Sequence, residues 1–105
     1  MSSPESASRE DHDRIVDAIS SSPDVAKLLH FKALHLGTGE LMVAAKVALV
    51  ADKSVREASS DIDEIDRRIR EAVPAARVIY IEPDVYRPDL DSEPPTDAFV
   101  LKSSD

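Results

Sequence analysis

SVREASSDIDEIDRRIREAVPAARVIYIEP, residues 54–83, decides the fold. Val55, Ala58, Ile62, Ile65, Ile69, Ala72 and Val73 recur at helical intervals, which keeps one side of a helix apolar through about five turns. Ser54 followed by Glu57 forms a capping box. The hydroxyl accepts from a first-turn amide and the carboxylate reaches back to the Ser54 amide. Acids dominate the first half (Glu57, Asp61, Asp63, Glu64, Asp66) and arginines the second (Arg67, Arg68, Arg70), the order that the helix dipole favours. Pro74 ends the helix. Val78-Ile79-Tyr80-Ile81 then reads as the centre of a short strand, Arg77 to Glu82, that stops at Glu82-Pro83.

Working outward toward the N-terminus, Leu41 to Val50 alternates as a strand. Leu41, Val43, Ala45, Val47 and Leu49 form one face; Met42, Ala44, Lys46, Ala48 and Val50 form the other. Both faces are largely apolar, so this strand is central in a covered sheet or sets its outer face against a partner. Gly37-Thr38-Gly39 before it reads as a hairpin turn. Val25 to Leu36 is a strand with Leu29, Phe31 and Ala33 on one side and His30, Lys32 and Leu34 on the other. Ser8 with Asp11 caps a shorter helix running to about Ser20, with Ile15, Val16 and Ile19 inward. Ser20-Ser21-Ser22-Pro23 breaks it.

The order is α-β-β-α-β, an α+β arrangement. Its economical solution is a three-stranded sheet with both helices on one face, leaving the Met42, Ala44, Ala48 and Val50 side for a second copy to bury. Residues 1–7 read as a disordered N-terminus and 8–87 as the folded domain. Residues 88–105 read as an acidic, proline-rich tail in which Ala98 to Leu101 is a short apolar patch.

Composition narrows the function. The 105 residues carry a formal charge of −8, and no Lys/Arg stripe stands out, so a nucleic-acid partner is not expected. No apolar run approaches the roughly 20 residues of a membrane span. Aromatics are only 4%, so the core must be aliphatic. The chain lacks Cys, Asn and Gln, which removes thiolate nucleophiles, thiolate zinc sites and an amide to place a water. No glycine-rich phosphate loop or nucleophile elbow is present, and no enzyme activity is expected.

Two stretches carry a family resemblance. His30-Phe31-Lys32-Ala33-Leu34-His35-Leu36-Gly37, followed by Leu41-Met42-Val43-Ala44-Ala45-Lys46-Val47, is the first. Arg68-Ile69-Arg70-Glu71-Ala72-Val73-Pro74, followed by Ala76 to Pro83, is the second. In this order they resemble the cytoplasmic C-terminal domain of cation diffusion facilitator transporters over residues 12 to 87. The resemblance implies a ferredoxin-like, metallochaperone-like domain at the cytoplasmic face of the membrane. It would form a homodimer below the transmembrane domain of a zinc, manganese, iron or cobalt transporter. It also implies that a divalent metal, zinc foremost, bound between the copies biases the transporter's conformation. The positions that match a metal site are His30 and Glu82, with His35 nearby. Lys46 and Tyr80 stand where members with a metal site often carry histidine.

Read by themselves, these residues leave alternatives open. His30 and His35 have opposite strand parity and face opposite sides of a regular strand. Glu82 and Asp84, near Asp89 and Asp91, make either a weak carboxylate site or solvated acids at a strand end. Asp11-His12-Asp13 suits a solvated first turn. Two further functions remain beside metal sensing: a metal-independent structural dimerisation module, and an unrelated small-molecule-binding ferredoxin-like regulator.

Overall fold

The computed structural model describes residues 6–37, 39–50 and 52–86. Helix α1 (Arg9–Ser20) leads to strands β1 (Val25–His35) and β2 (Leu41–Leu49), helix α2 (Val55–Ala72) and strand β3 (Ala76–Val85). This is the expected α-β-β-α-β ferredoxin-like order. β2 is the central strand, antiparallel to β1 and parallel to β3. A parallel neighbour requires a crossover, and α2 provides it.

Both helices pack on one face of the sheet. Ile15 and Ile19 of α1 and Ile65 and Ile69 of α2 are fully buried against Leu41, Val43, Ala45, Val47 and Leu49. With each isoleucine side chain contributing about 1.5–3 kcal/mol when fully buried, this aliphatic layer is the main source of stability. The apolar stripe of α2 is narrower than its spacing suggests. Val55, the first residue of the helix, is 87% exposed, and Ile62 is only partly buried. In α1 it is Ala18, not Val16, that joins the buried side.

Local signals at α2 are realised. The Ser54 hydroxyl accepts from the Glu57 amide (3.1 Å), and the Ser54 amide donates to the Glu57 carboxylate (2.9 Å). Ser54→Ala is expected to cost about 1 kcal/mol of unfolding free energy, read by urea denaturation. Ser8 caps α1 in the same manner through the Asp11 amide. Beyond the C-terminus of α2, Arg70 donates to the carbonyls of Ala76 and Arg77 and ties the helix to the start of β3.

Lys53, just before α2, lies 2.6 Å from an Asp61 carboxylate oxygen and 3.6 Å from Asp24. It joins α2 to the entrance of β1. Contact with Asp61 chiefly, helped by the charges of Asp61 and Asp24 and opposed by partial desolvation, holds the Lys53 ammonium above its ordinary range. A raised folded-state value stabilises the fold below the unfolded pKa of about 10.4, and that stabilisation fades as pH rises through the folded value. Lys53→Met is therefore expected to be less stable than the wild type at pH 7, with the gap closing as pH rises through the raised folded-state value. Paired denaturation curves measure this.

Three details depart from the sequence reading. β1 sets 11 residues against nine of β2, and the excess is taken up by register shifts between Val25 and Lys27 and between Leu28 and His30. Each shift is a bulge. Leu28 consequently takes the core side that regular alternation assigns to Leu29. β3 does not stop at Glu82 but runs through Pro83 to Val85. It is an edge strand, where a missing backbone N–H is tolerated. At the other end, Ser6 bridges Leu34 and the Ala7 amide donates to the Ala33 carbonyl at 2.9 Å, so the last two residues of the stretch read as a disordered N-terminus lie along β1. The acidic tail from residue 88 onward, with Asp89, Asp91 and the Ala98 to Leu101 patch, lies outside the described residues. Among the described residues no helix is long and apolar enough to cross a membrane.

Gly37 (φ 95°) and Gly39 (φ 83°) both occupy the left-handed region. The Leu36 amide donates to the Glu40 carbonyl at 2.8 Å and closes the hairpin. Two such conformations within three residues explain why glycine stands at both places.

Candidate functional site

Side chains directly opposite each other in a sheet share a face. With the helices against the Val43 side, register assigns a second set of residues to the opposite face. These are Lys27, His30, Lys32 and Leu34 of β1, Met42, Ala44, Lys46 and Ala48 of β2, and Val78, Tyr80, Glu82 and Asp84 of β3. Among the described elements nothing packs on this face.

The face is ordered in rows. Leu34, Met42 and Val78 make an apolar row, and Lys32, Ala44 and Tyr80 the next. Tyr80 is 63% exposed. His30, Lys46 and Glu82 form the third row, and Lys27, Ala48 and Asp84 the fourth. Positive groups therefore gather on β1 and carboxylates on β3. Lys46 stands between them on the central strand. Its ammonium is 3.7 Å from Asp84 and 4.0 Å from Glu82.

The structure separates the residues singled out as metal ligands. His30 and Glu82 share a row but lie on the two outer strands, about 10 Å apart by strand spacing. Lys46 occupies the strand between them. His35 pairs with Leu41 on the opposite parity and belongs to the helix side. Among the described residues no three His, Asp or Glu side chains form a group that could hold a metal ion. His12, set in the expected solvated turn, has a further contact: its ring meets the Phe31 ring edge-on, with centroids 4.9 Å apart.

The sequence pairs Asp84 with Glu82 at a strand end, but does not show that both lie on the open face beside Lys46. Ending β3 at Glu82 left Asp84 in a loop, whereas the longer strand puts it on the open face beside Lys46. The signal was the Glu-x-Asp spacing, which gives two carboxylates the same parity if the strand continues. Elsewhere, an open groove of about 440 Å³ between α1 and α2 is lined by Arg14, Asp17, Arg68 and Glu71. Opposed charges alternate round it, so it offers no single sign to a ligand.

Comparison with known proteins gives the family and the fold. The family profile described as cation efflux protein, cytoplasmic domain, matches residues 7–84. Solved structures of the C-terminal domain of MamM share the fold. A variant in its nickel form superposes with a TM-score of 0.70 at 14% identity, covering 76% of this chain and 100% of that one. A variant in its cadmium form gives 0.69 at 14%, covering 75% and 98%. A doubly substituted variant gives 0.68 at 15%, covering 74% and 93%. A search of curated proteins returned no match.

Proposed function

Because the chain belongs to the cytoplasmic domain family of cation efflux proteins, the cation diffusion facilitators, we propose that it serves as the dimerisation module of such a transporter and acts through the open face of its sheet. The observation that carries this reading is the pattern of that face: one end is apolar, with Leu34, Met42, Ala44 and Val78, and the other end sets cations on β1 against carboxylates on β3. A two-fold axis running along β2 lays β1 of one copy over β3 of the other. Each row then meets its own counterpart: the apolar rows face each other, Lys27 faces Asp84, His30 faces Glu82, and the two Lys46 side chains lie either side of the axis. Charge separation of this kind fixes orientation more than it adds affinity.

The face is modest in size. Three strands about 4.8 Å apart and some seven residues long offer on the order of 350 Å², less than the roughly 800 Å² per partner of a standard interface. The isolated domain is therefore expected to dimerise weakly, with tethering to the membrane part raising its effective concentration. Holding two copies together in one geometry biases the transporter by population shift, to the extent that one transporter state fits the dimer better.

A metal-driven version of this reading is favoured by the nickel and cadmium forms of MamM. In that version His30, Glu82 and His35 would be the ligands, and zinc, manganese, iron or cobalt the ions. The side chains here do not fit it. His35 lies on the other face, and an ammonium, which has no lone pair to give, stands between His30 and Glu82. Metal-independent dimerisation is the version that the geometry supports. Sedimentation velocity from about 1 to 500 μM, with chelator and then with zinc or manganese, tests it. A concentration-dependent dimer indifferent to both ions is expected. A monomer throughout would sink the reading.

A further inference from the structure

We propose that Lys46 is a built-in cation. Its ammonium takes the place of a divalent ion on the open face, and this makes the domain indifferent to metal. Lys46 projects from the central strand at the register level of His30 on one side and Glu82 on the other. Its nitrogen reaches both Glu82 and Asp84. Those two carboxylates have the same parity on β3, and Asp84 is 20% exposed, so their negative charges are concentrated over one spot. Carboxylate and imidazole are the donor types of a borderline divalent ion. Among the described residues, however, His30, Glu82 and Asp84 are not gathered into a group that holds one while Lys46 stands between them. A divalent ion arriving there meets a fixed positive charge that cannot diffuse away. Unlike a free metal, a tethered lysine needs no metal concentration to fill its place. The charge balance of the face is then constant under all metal conditions.

The idea concerns the face assigned above to dimerisation but does not depend on dimerisation itself. Its test is a gain of function. Lys46→His and Lys46→Ala are compared with the wild type by calorimetric titration of zinc into chelator-treated protein. Light scattering and thermal unfolding are read on the same samples. The wild type is expected to show no saturable zinc binding, and Lys46→His to bind zinc stoichiometrically. Removing the ammonium is worth about thirty-fold in affinity at low salt, the factor that bulk-water screening leaves between a +2 and a +1 charge held roughly 4 Å apart. The gain should vanish when His30→Ala or Glu82→Gln is added to Lys46→His. Lys46→Ala lacks the extra donor and should bind more weakly than Lys46→His but more tightly than the wild type.

Two results overturn the proposal. One is saturable zinc binding by the wild type that His30→Ala or Glu82→Gln abolishes. The other is silence from both Lys46 variants while their melting curves show them folded. A monomeric wild type that is nonetheless silent until Lys46 is replaced would sink the dimer reading and leave this one standing.

Discussion

Replacing Ile69 with alanine is expected to lower the unfolding free energy by about 3 kcal/mol. Ile69 is fully buried in α2, facing the layer formed by Val43, Ala45 and Val47. Truncation removes three methyl or methylene groups and leaves a cavity that a sheet held by two ladders of hydrogen bonds cannot close. Small domains have roughly 5–15 kcal/mol in total, so a fall in melting temperature of about 15 °C should accompany the change. Urea denaturation checks it, with the midpoint moving and the slope unchanged. Val55→Ala is the control. Both residues belong to the same apolar series in the sequence, yet Val55 is 87% exposed and its loss should stay within about 0.5 kcal/mol. If both variants lost the same stability, the helix would be rotated from the position described.

The second large effect concerns association. Ala44→Glu is expected to weaken the proposed dimer by about a hundredfold, because the two-fold axis along β2 sets the two new carboxylates against each other inside the interface. Ala44 sits in the middle of β2 on the open face, between Lys32 and Tyr80. The glutamate points away from the core, so the monomer should keep its fold, with circular dichroism unchanged. Sedimentation velocity across the same concentration range reads the outcome. An unaltered dimer would move the interface elsewhere on the molecule. Ala44 lies two residues from Lys46, so the metal titration belongs on the Lys46 variants alone.

Much of the fold was legible because its signals are local. The capping box at Ser54 and Glu57 involves side chains three residues apart and forms as written. Gly37 and Gly39 marked the hairpin because both adopt backbone angles that other residues avoid. β2 announced itself as central through two apolar faces, and it lies between β1 and β3. The errors fell where neighbours on another element decide. The bulges in β1 exist because 11 residues must match nine on β2, a constraint that β1 alone does not contain. Pro83 reads as a strand stop until β3 is known to be an edge strand.

The candidate site shows the same division. Parity alone separated His30 from His35, and the register agrees. Parity within one strand cannot say which residues of three strands share a row. That depends on register, which turns, bulges and the α2 crossover set together.

By itself the sequence determined the five elements, their order, the aliphatic core and the apolar character of the second β2 face. Each follows from periodicity and capping within a single segment. Only the tertiary structure decided that Asp84 joins Glu82 beside Lys46, and that His30 and Glu82 stand across an ammonium. The physical reason is that a charge's surroundings are built from strands far apart in the chain, at a spacing fixed by backbone hydrogen bonds and not by the identity of the side chains they carry.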